Sequence, residues 1–333
     1  MVITEAWQQL GLWVHDLDPV VFPLFGELKV RWYGLAYLGG FLAGYLLLRW
    51  MARRKLWVLE PGMAGDFIAY CALFGVFLGG RIGYVLFYLL PEEGFGPLRE
   101  DPLLVFKVWK GGMASHGGIL GLVIFTYVYA RMKKVSWTGL GDGLCVVAPL
   151  GLMFGRLANF INGELYGRVA AGAAWAVKFP KAALTPGTTE HARQEEALRA
   201  ATQVDPEVYP GNLVERMRGS EAVEQAVAPF LEGRYPSQLY QAALEGGLLF
   251  AILFFLRVRF PELRHGVLTG LFFVLYALFR ITGERFRMPD AAWVVEGWVT
   301  KGQFYSFFMI AMGAAFLICA WKKGGRESAP AAG

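Results

Sequence analysis

The sequence predicts an all-α polytopic membrane protein. It has seven transmembrane helices, an N-terminus outside, a C-terminus in the cytoplasm and a small head domain on the outer face. Three observations carry that expectation. The 333 residues are 56% hydrophobic and 18% charged, with a mean hydropathy of +0.41; an ordinary globular chain is roughly 45–50% apolar and about 25% charged. The excess apolar residues gather into runs too long for a soluble core. Lys and Arg recur in clusters after alternate runs. Length alone would suggest two soluble domains. Composition argues against a water-soluble enzyme, and no nucleic-acid partner is expected despite a pI of 9.0 and a net charge of +5.

A bilayer core about 30 Å thick needs about 20 mostly apolar residues in a helix. Seven segments qualify: 32–50, 66–90, 113–130, 140–161, 237–256, 267–282 and 304–321. The sixth is short and is kept for its aromatic density. The runs are unbroken, not alternating, and backbone groups in lipid must pair within their own segment, so helices are expected over strands. Arg49, Arg53, Arg54 and Lys55 follow the first run, and Arg131, Lys133 and Lys134 the third. Arg257, Arg259 and Arg264 follow the fifth, and Lys322, Lys323 and Arg326 the seventh. Every second connection is basic, which the positive-inside rule places in the cytoplasm. The connection holding Glu92, Glu93, Arg99, Glu100, Asp101, Lys107 and Lys110 is near balance.

The remaining stretches complete the layout. Residues 1–31 form an outer arm with Glu5, Asp16 and Asp18 and no basic leader, so no cleaved signal peptide is expected. Residues 32–162 hold helices one to four, 163–236 the polar head with helical stretches at 190–202 and 213–227, and 237–321 the last three helices. Residues 322–333 are a cytoplasmic tail. Cys71, Cys145 and Cys319 each fall inside a run as small packing residues. His15, His116, His191 and His265 are too scattered for a metal site.

An ionisable group inside a span costs roughly 2.5–3.5 kcal/mol at the helix centre, so each needs a reason. The set is Arg81, His116, Asp142, Arg156, Glu164, Glu245, Arg280, Glu284, Arg285 and Arg287. Asp142 lies near a helix end, and Arg285 and Arg287 can snorkel to the surface. Arg156 and Arg280 fall at similar depth near the outer ends of two helices, where two guanidiniums can grip one lipid phosphate. The alternative is internal pairing, for example Arg280 with Glu284 at i, i+4. His116 lies among glycines that let a helix or ligand approach closely, and imidazole is a general base near neutral pH; the alternative is a packing histidine. The densest feature is Gly155-Arg156-Leu157-Ala158-Asn159-Phe160-Ile161-Asn162-Gly163-Glu164-Leu165-Tyr166-Gly167. Arg156 and Asn159 share one helical face, with Asn162 close by. So many polar groups at one helix end are expensive unless paired, and a site explains them.

This segment resembles the signature of the prolipoprotein diacylglyceryl transferase family, Gly-Arg-x-(Gly/Ala)-Asn-Phe-x-Asn-x-Glu-x-x-Gly. Arg31-Trp32-Tyr33-Gly34-Leu35, Gly79-Gly80-Arg81-Ile82-Gly83-Tyr84 and Gly111-Gly112-Met113 through His116-Gly117-Gly118 are similar to further blocks of that family. So are Pro236-Ser237-Gln238-Leu239-Tyr240 and Phe279-Arg280 through Glu284, Arg287, Pro289 and Asp290. Residues 169–233 are poorly covered. Tyr235 stands where the family commonly has His, and Gln241 where Glu is common.

The resemblance implies a multi-pass enzyme of the bacterial inner membrane, with the outer face periplasmic. It moves the diacylglyceryl group of phosphatidylglycerol to the lipobox cysteine of a prolipoprotein, with membrane lipids as its surroundings. It implies Arg156, Asn159, Gly167 and Arg280 as lipid-binding, and His116, Arg280, Tyr33, Glu164 and Glu284 as catalytic. Asp142, Asn162, Arg81 and Arg287 are supporting. No metal and no cofactor are expected. Two arginines suit a phosphate leaving group and a histidine suits thiol deprotonation, so the residues read directly agree with this chemistry. A flippase or transporter of an anionic lipid is the competing reading, although inverted repeats are not evident.

Overall fold

The computed structural model describes residues 11–24, 29–107, 112–170, 172–288 and 301–322. Glu5, Lys110, Gly111, Pro289, Asp290, Lys323, Arg326 and the end of the tail lie outside the described residues. A short antiparallel hairpin, β1 (Val20–Pro23) and β2 (Lys29–Arg31), leads into α1 (Trp32–Arg53). Then come α2 (Pro61–Glu93), α3 (Ser115–Lys133) and α4 (Trp137–Ile161). The polar segment holds β3 (Val177–Lys178), α5 (Thr189–Ala192), α6 (Gln194–Val204), α7 (Leu213–Gly219), α8 (Glu221–Val227) and β4 (Gly233–Arg234). Helices α9 (Ser237–Arg259), α10 (Val267–Glu284) and α11 (Lys301–Lys322) follow.

Among the described residues six helices are long and apolar enough to cross a membrane: α1, α2, α4, α9, α10 and a stretch of α11. Helix α3 forms where a span is expected, at 19 residues, but falls outside that set; glycines and the polar Ser115 and His116 dilute its first turns. Leu38, Leu42 and Leu46 form an exposed stripe on α1, the face a lipid-embedded helix presents.

By contact the chain clusters into two compact units. The first comprises the described residues of Met1–Gly40, Pro149–Ala251 and Phe273–Met312. Its polar part has its own apolar core of Ala197 and Ala201 from α6, Leu213 and Met217 from α7, and Val223 and Val227 from α8. The helix expected at 213–227 is two helices. The Ser220 hydroxyl accepts from the Val223 amide at 3.4 Å and caps a fresh start, as serine does where helical pairing is interrupted. The stretch expected at 190–202 likewise breaks at Arg193, with Thr188 capping α5 through the His191 amide. Strands β3 and β4 pair antiparallel. The N-terminal arm joins them, with the His15 amide donating to the Lys178 carbonyl and the Lys178 amide to the Trp13 carbonyl.

The second unit comprises Phe41–Ala148, Ile252–Phe272 and the described part of Gly313–Gly333. Helices α2 and α3 pack glycine to glycine. A Cβ on Gly79 would stand 2.8 Å from the Gly121 Cα, and one on Gly117 would stand 2.6 Å from the Gly83 Cα. Such close backbone approach is how helices associate in lipid, where there is no hydrophobic drive between them. Asp142, in the second turn of α4, accepts from the Gly266 amide, the Thr269 amide and the Thr269 hydroxyl, each at 2.8 Å. It therefore caps the start of α10 from another helix, neutralising amides that have no intrahelical partner.

Candidate active site

The signature segment begins at the end of α4. Gly163 and Leu165 adopt left-handed backbone, with φ of 63° and 56°, so the chain doubles back after the helix. Inside this bend the Glu164 carboxylate accepts from the Asn159 amide group at 2.9 Å and the Asn162 amide group at 3.3 Å. The fully buried Gln238 donates to the Glu164 carbonyl at 2.7 Å, and Ser237 to that of Leu165 at 3.2 Å. The far end is clamped between two segments. The Gly167 amide donates to the Tyr235 carbonyl at 2.9 Å, and Gly167 bridges Arg287 through the backbone. A Cβ at Gly167 would stand 2.5 Å from both the Tyr235 and Phe286 carbonyl oxygens; only glycine fits there.

One turn earlier, Arg156 points at α9. The Glu245 carboxylate receives Arg156 Nη2 at 3.4 Å on one oxygen and Arg280 Nη1 of α10 at 3.5 Å on the other. Arg280 Nη2 lies 3.4 Å from Glu284, so the alternative of i, i+4 pairing is realised alongside the shared carboxylate. The Tyr276 phenol lies beside Arg156 and Arg280. Glu245 is fully buried, Glu284 nearly so, and the two arginine side chains are 17% and 15% exposed. Around Glu245 the helix widens to π-type turns over Ala242–Leu248, a distortion common where a helix serves a site. Gly246 makes the approach possible, since a Cβ there would meet the Met153 side chain of α4 at 2.5 Å.

These contacts are loose. Among the described residues Arg280 Nη1, Glu245 Oε1, Glu284 Oε2 and both amide atoms of Gln241 are buried without a hydrogen-bond partner. Buried polar atoms are normally satisfied, and each orphan carries a desolvation cost of about 1–3 kcal/mol. A small anion bearing several acceptor oxygens would satisfy the guanidinium.

The expected site residues are thus sorted. In the first unit the chain brings Arg156, Arg280 and Glu284 together, and separately Asn159, Asn162 and Glu164, with Gly167 and Arg287 closing the bend. Tyr33, also in this unit, opens α1 with its ring 5.2 Å from that of Tyr37. His116, Arg81 and Asp142 belong to the second unit. His116 stands exposed in the first turn of α3. Arg81 donates to the carbonyls of Val105 at 3.1 Å, Gly112 at 2.9 Å and Leu104 at 2.5 Å, which makes it a tie for the connection between α2 and α3. The sequence reading gave Glu245, Gln238, Gln241 and Tyr276 no role. The pattern Leu244-Glu245-Gly246-Gly247, a carboxylate in mid-helix beside two glycines, was the available signal for Glu245.

Comparison with known proteins identifies the family. The family model described as prolipoprotein diacylglyceryl transferase matches residues 19–319. A phosphatidylglycerol–prolipoprotein diacylglyceryl transferase of Bdellovibrio bacteriovorus is 39% identical over 331 residues, covering 92% of this chain and 93% of its own. A protein of the same name from Serratia proteamaculans is 38% identical over 311 residues, covering 92% and 94%. One from Stenotrophomonas maltophilia is 37% identical over 310 residues, covering 92% and 93%. With the match running through the bend at Glu164 and both arginines, this multi-pass membrane chain belongs to the prolipoprotein diacylglyceryl transferase family.

Proposed function

We propose that this chain transfers the diacylglyceryl group of phosphatidylglycerol to the lipobox cysteine thiol in a prolipoprotein signal peptide, the first step of lipoprotein maturation. A carbon–sulfur bond forms at the glyceryl carbon while its bond to the phosphate oxygen breaks. The electron pair leaves with that oxygen, and glycerol-1-phosphate is released. Family membership supports the reading, and so does the names of the relatives, which specify both substrates.

The observation that carries it is the convergence of Arg156 and Arg280, from two helices, on one buried carboxylate. Planar guanidiniums bind phosphate oxygens bidentately, and in a water-poor site they favour the charge that grows on a departing phosphate. Arg156 grips the head group and Arg280 the leaving phosphate. Asn159 and Gly167 shape the lipid site, and His116 accepts the thiol proton. Tyr33, Glu164 and Glu284 complete the catalytic set, supported by Asp142, Asn162, Arg81 and Arg287. The thiol is the partner's, and neutral Cys is a weak nucleophile until deprotonated. The proposed topology is seven crossings in the inner membrane, with the N-terminus and the 163–236 head in the periplasm, the site toward that side and the tail in the cytoplasm. The alternating basic clusters support it.

The test is turnover of purified chain with phosphatidylglycerol vesicles and a lipobox peptide. Thioether product is expected, and Arg156→Ala should abolish it while the protein still inserts. Full activity in that variant removes the phosphate role; lipid movement across the vesicle without thioether would favour a flippase.

A further inference from the structure

We infer that Glu245 is a positioning residue that acts as the resident counter-charge of the arginine pair, competing with the phosphate and setting how readily the product leaves. The inference rests on the phosphatidylglycerol reading above. Its basis is placement. Glu245 is fully buried in α9, and its two oxygens face the two guanidiniums at 3.4 and 3.5 Å, one each. By formal charge the two guanidiniums of Arg156 and Arg280 balance the two carboxyl groups of Glu245 and Glu284, which face them in ion-pair geometry.

That balance has a consequence. Two arginines in a low-dielectric pocket without a counter-charge would hold any phosphate strongly, substrate and product alike, because Coulomb energies grow as water is excluded. Tight uniform binding lowers KM without raising turnover and slows release. A carboxylate already between the guanidiniums weakens the grip on both. The contacts match that role: Arg280 Nη1 and Glu245 Oε1 are ion-paired at 3.5 Å without forming a hydrogen bond.

Gln241 offers the complementary handle. It is fully buried one turn before Glu245, with both amide atoms unpartnered. Its Nε2 and Glu245 Oε1 both lie within 4.0 Å of where a Cβ on Gly283 would stand, so the two side chains share one patch beside Glu284.

The experiment measures kcat, KM for phosphatidylglycerol and the inhibition constant of added glycerol-1-phosphate, using full-length protein in vesicles. Glu245→Gln should lower both KM and the inhibition constant at least about tenfold, with kcat falling at least about tenfold as release slows. Gln241→Glu, which adds a carboxylate to the same patch, should raise the inhibition constant at least about tenfold. A purely structural Glu245 would instead reduce folded yield and leave the inhibition constant of the folded fraction unmoved. The inference is overturned if that constant fails to fall in Glu245→Gln or fails to rise in Gln241→Glu. Should Glu245→Gln not fold, Gln241→Glu alone decides. If the unmodified protein makes no thioether, the substrate reading itself has failed; if it turns over normally and the variants do not diverge, only the counter-charge idea has.

Discussion

Two buried arginine–carboxylate groups in the first unit are built in opposite ways. In the polar segment Arg234 meets Glu190 through two bonds, Nε to Oε1 at 2.6 Å and Nη2 to Oε2 at 2.5 Å. Its remaining Nη1 donates to the Gly167 carbonyl at 3.1 Å, and its guanidinium stacks 5.2 Å from the Tyr166 ring. Within the helices, Arg156, Arg280, Glu245 and Glu284 sit 3.4 to 3.5 Å apart with orphaned atoms. A charge pair taken out of water is tolerable when every donor and acceptor is met, and costly when it is not. The first group is closed and serves the fold, holding the end of the signature bend. The second is open, with buried donors and acceptors left unmet among the described residues.

If the closed pair is structural, Glu190→Ala should be the most damaging stability change, about 3–5 kcal/mol, because Arg234 is left buried and uncompensated. Thermal melting reads this, and Glu190→Leu combined with Arg234→Met should recover most of the loss. Burial alone raises the Glu190 carboxyl, but the Arg234 hydrogen bonds and charge more than reverse this and leave it below its ordinary value. The pair's contribution is therefore present above the ordinary carboxylate range and lost as pH falls through the lowered value.

The open cluster should respond the other way. Arg280→Lys should lose about 100-fold or more in turnover, since a point charge cannot replace a planar pair of donors, while melting shifts only slightly. Near-normal turnover would mean that simple charge suffices, and a large melting shift would make the open cluster a second structural pair. Asp142→Ala should cost about 0.5–2 kcal/mol from loss of the α10 cap, visible in melting before activity. The smallest effect belongs to His15, whose Nε2 lies 2.7 Å from the Phe160 carbonyl and whose ring stacks 5.3 Å from Phe179. Burial holds this imidazole below its ordinary value, against the pull of that carbonyl. The unfolded chain then takes up the proton first, so stability should sag slightly as pH drops below about 6.5. His15→Phe should flatten that slope.

Much of this was legible from residue order. Apolar run length places helices near 32–50, 66–90, 113–130, 140–161, 237–256, 267–282 and 304–321 because lipid leaves the backbone no other partner, and each has its helix. The cost of burying charged and polar groups singles out Arg156, Arg280 and the polar cluster Asn159, Asn162 and Glu164 at the helix end. Splitting of the helix expected at 213–227 was missed, because Ser220 works as a cap only once the chain turns there.

What the sequence determined by itself is which residues need an explanation, since hydropathy and desolvation are properties of a side chain and its neighbours in order. Which partner each one meets was decided by tertiary structure. Glu245 lies 89 positions from Arg156, and Asp142 lies 124 from the Gly266 amide it caps. Hydrogen bonds and ion pairs act over a few ångströms, so the helix packing that closes those separations alone sets whether a buried charge becomes a strut or a site.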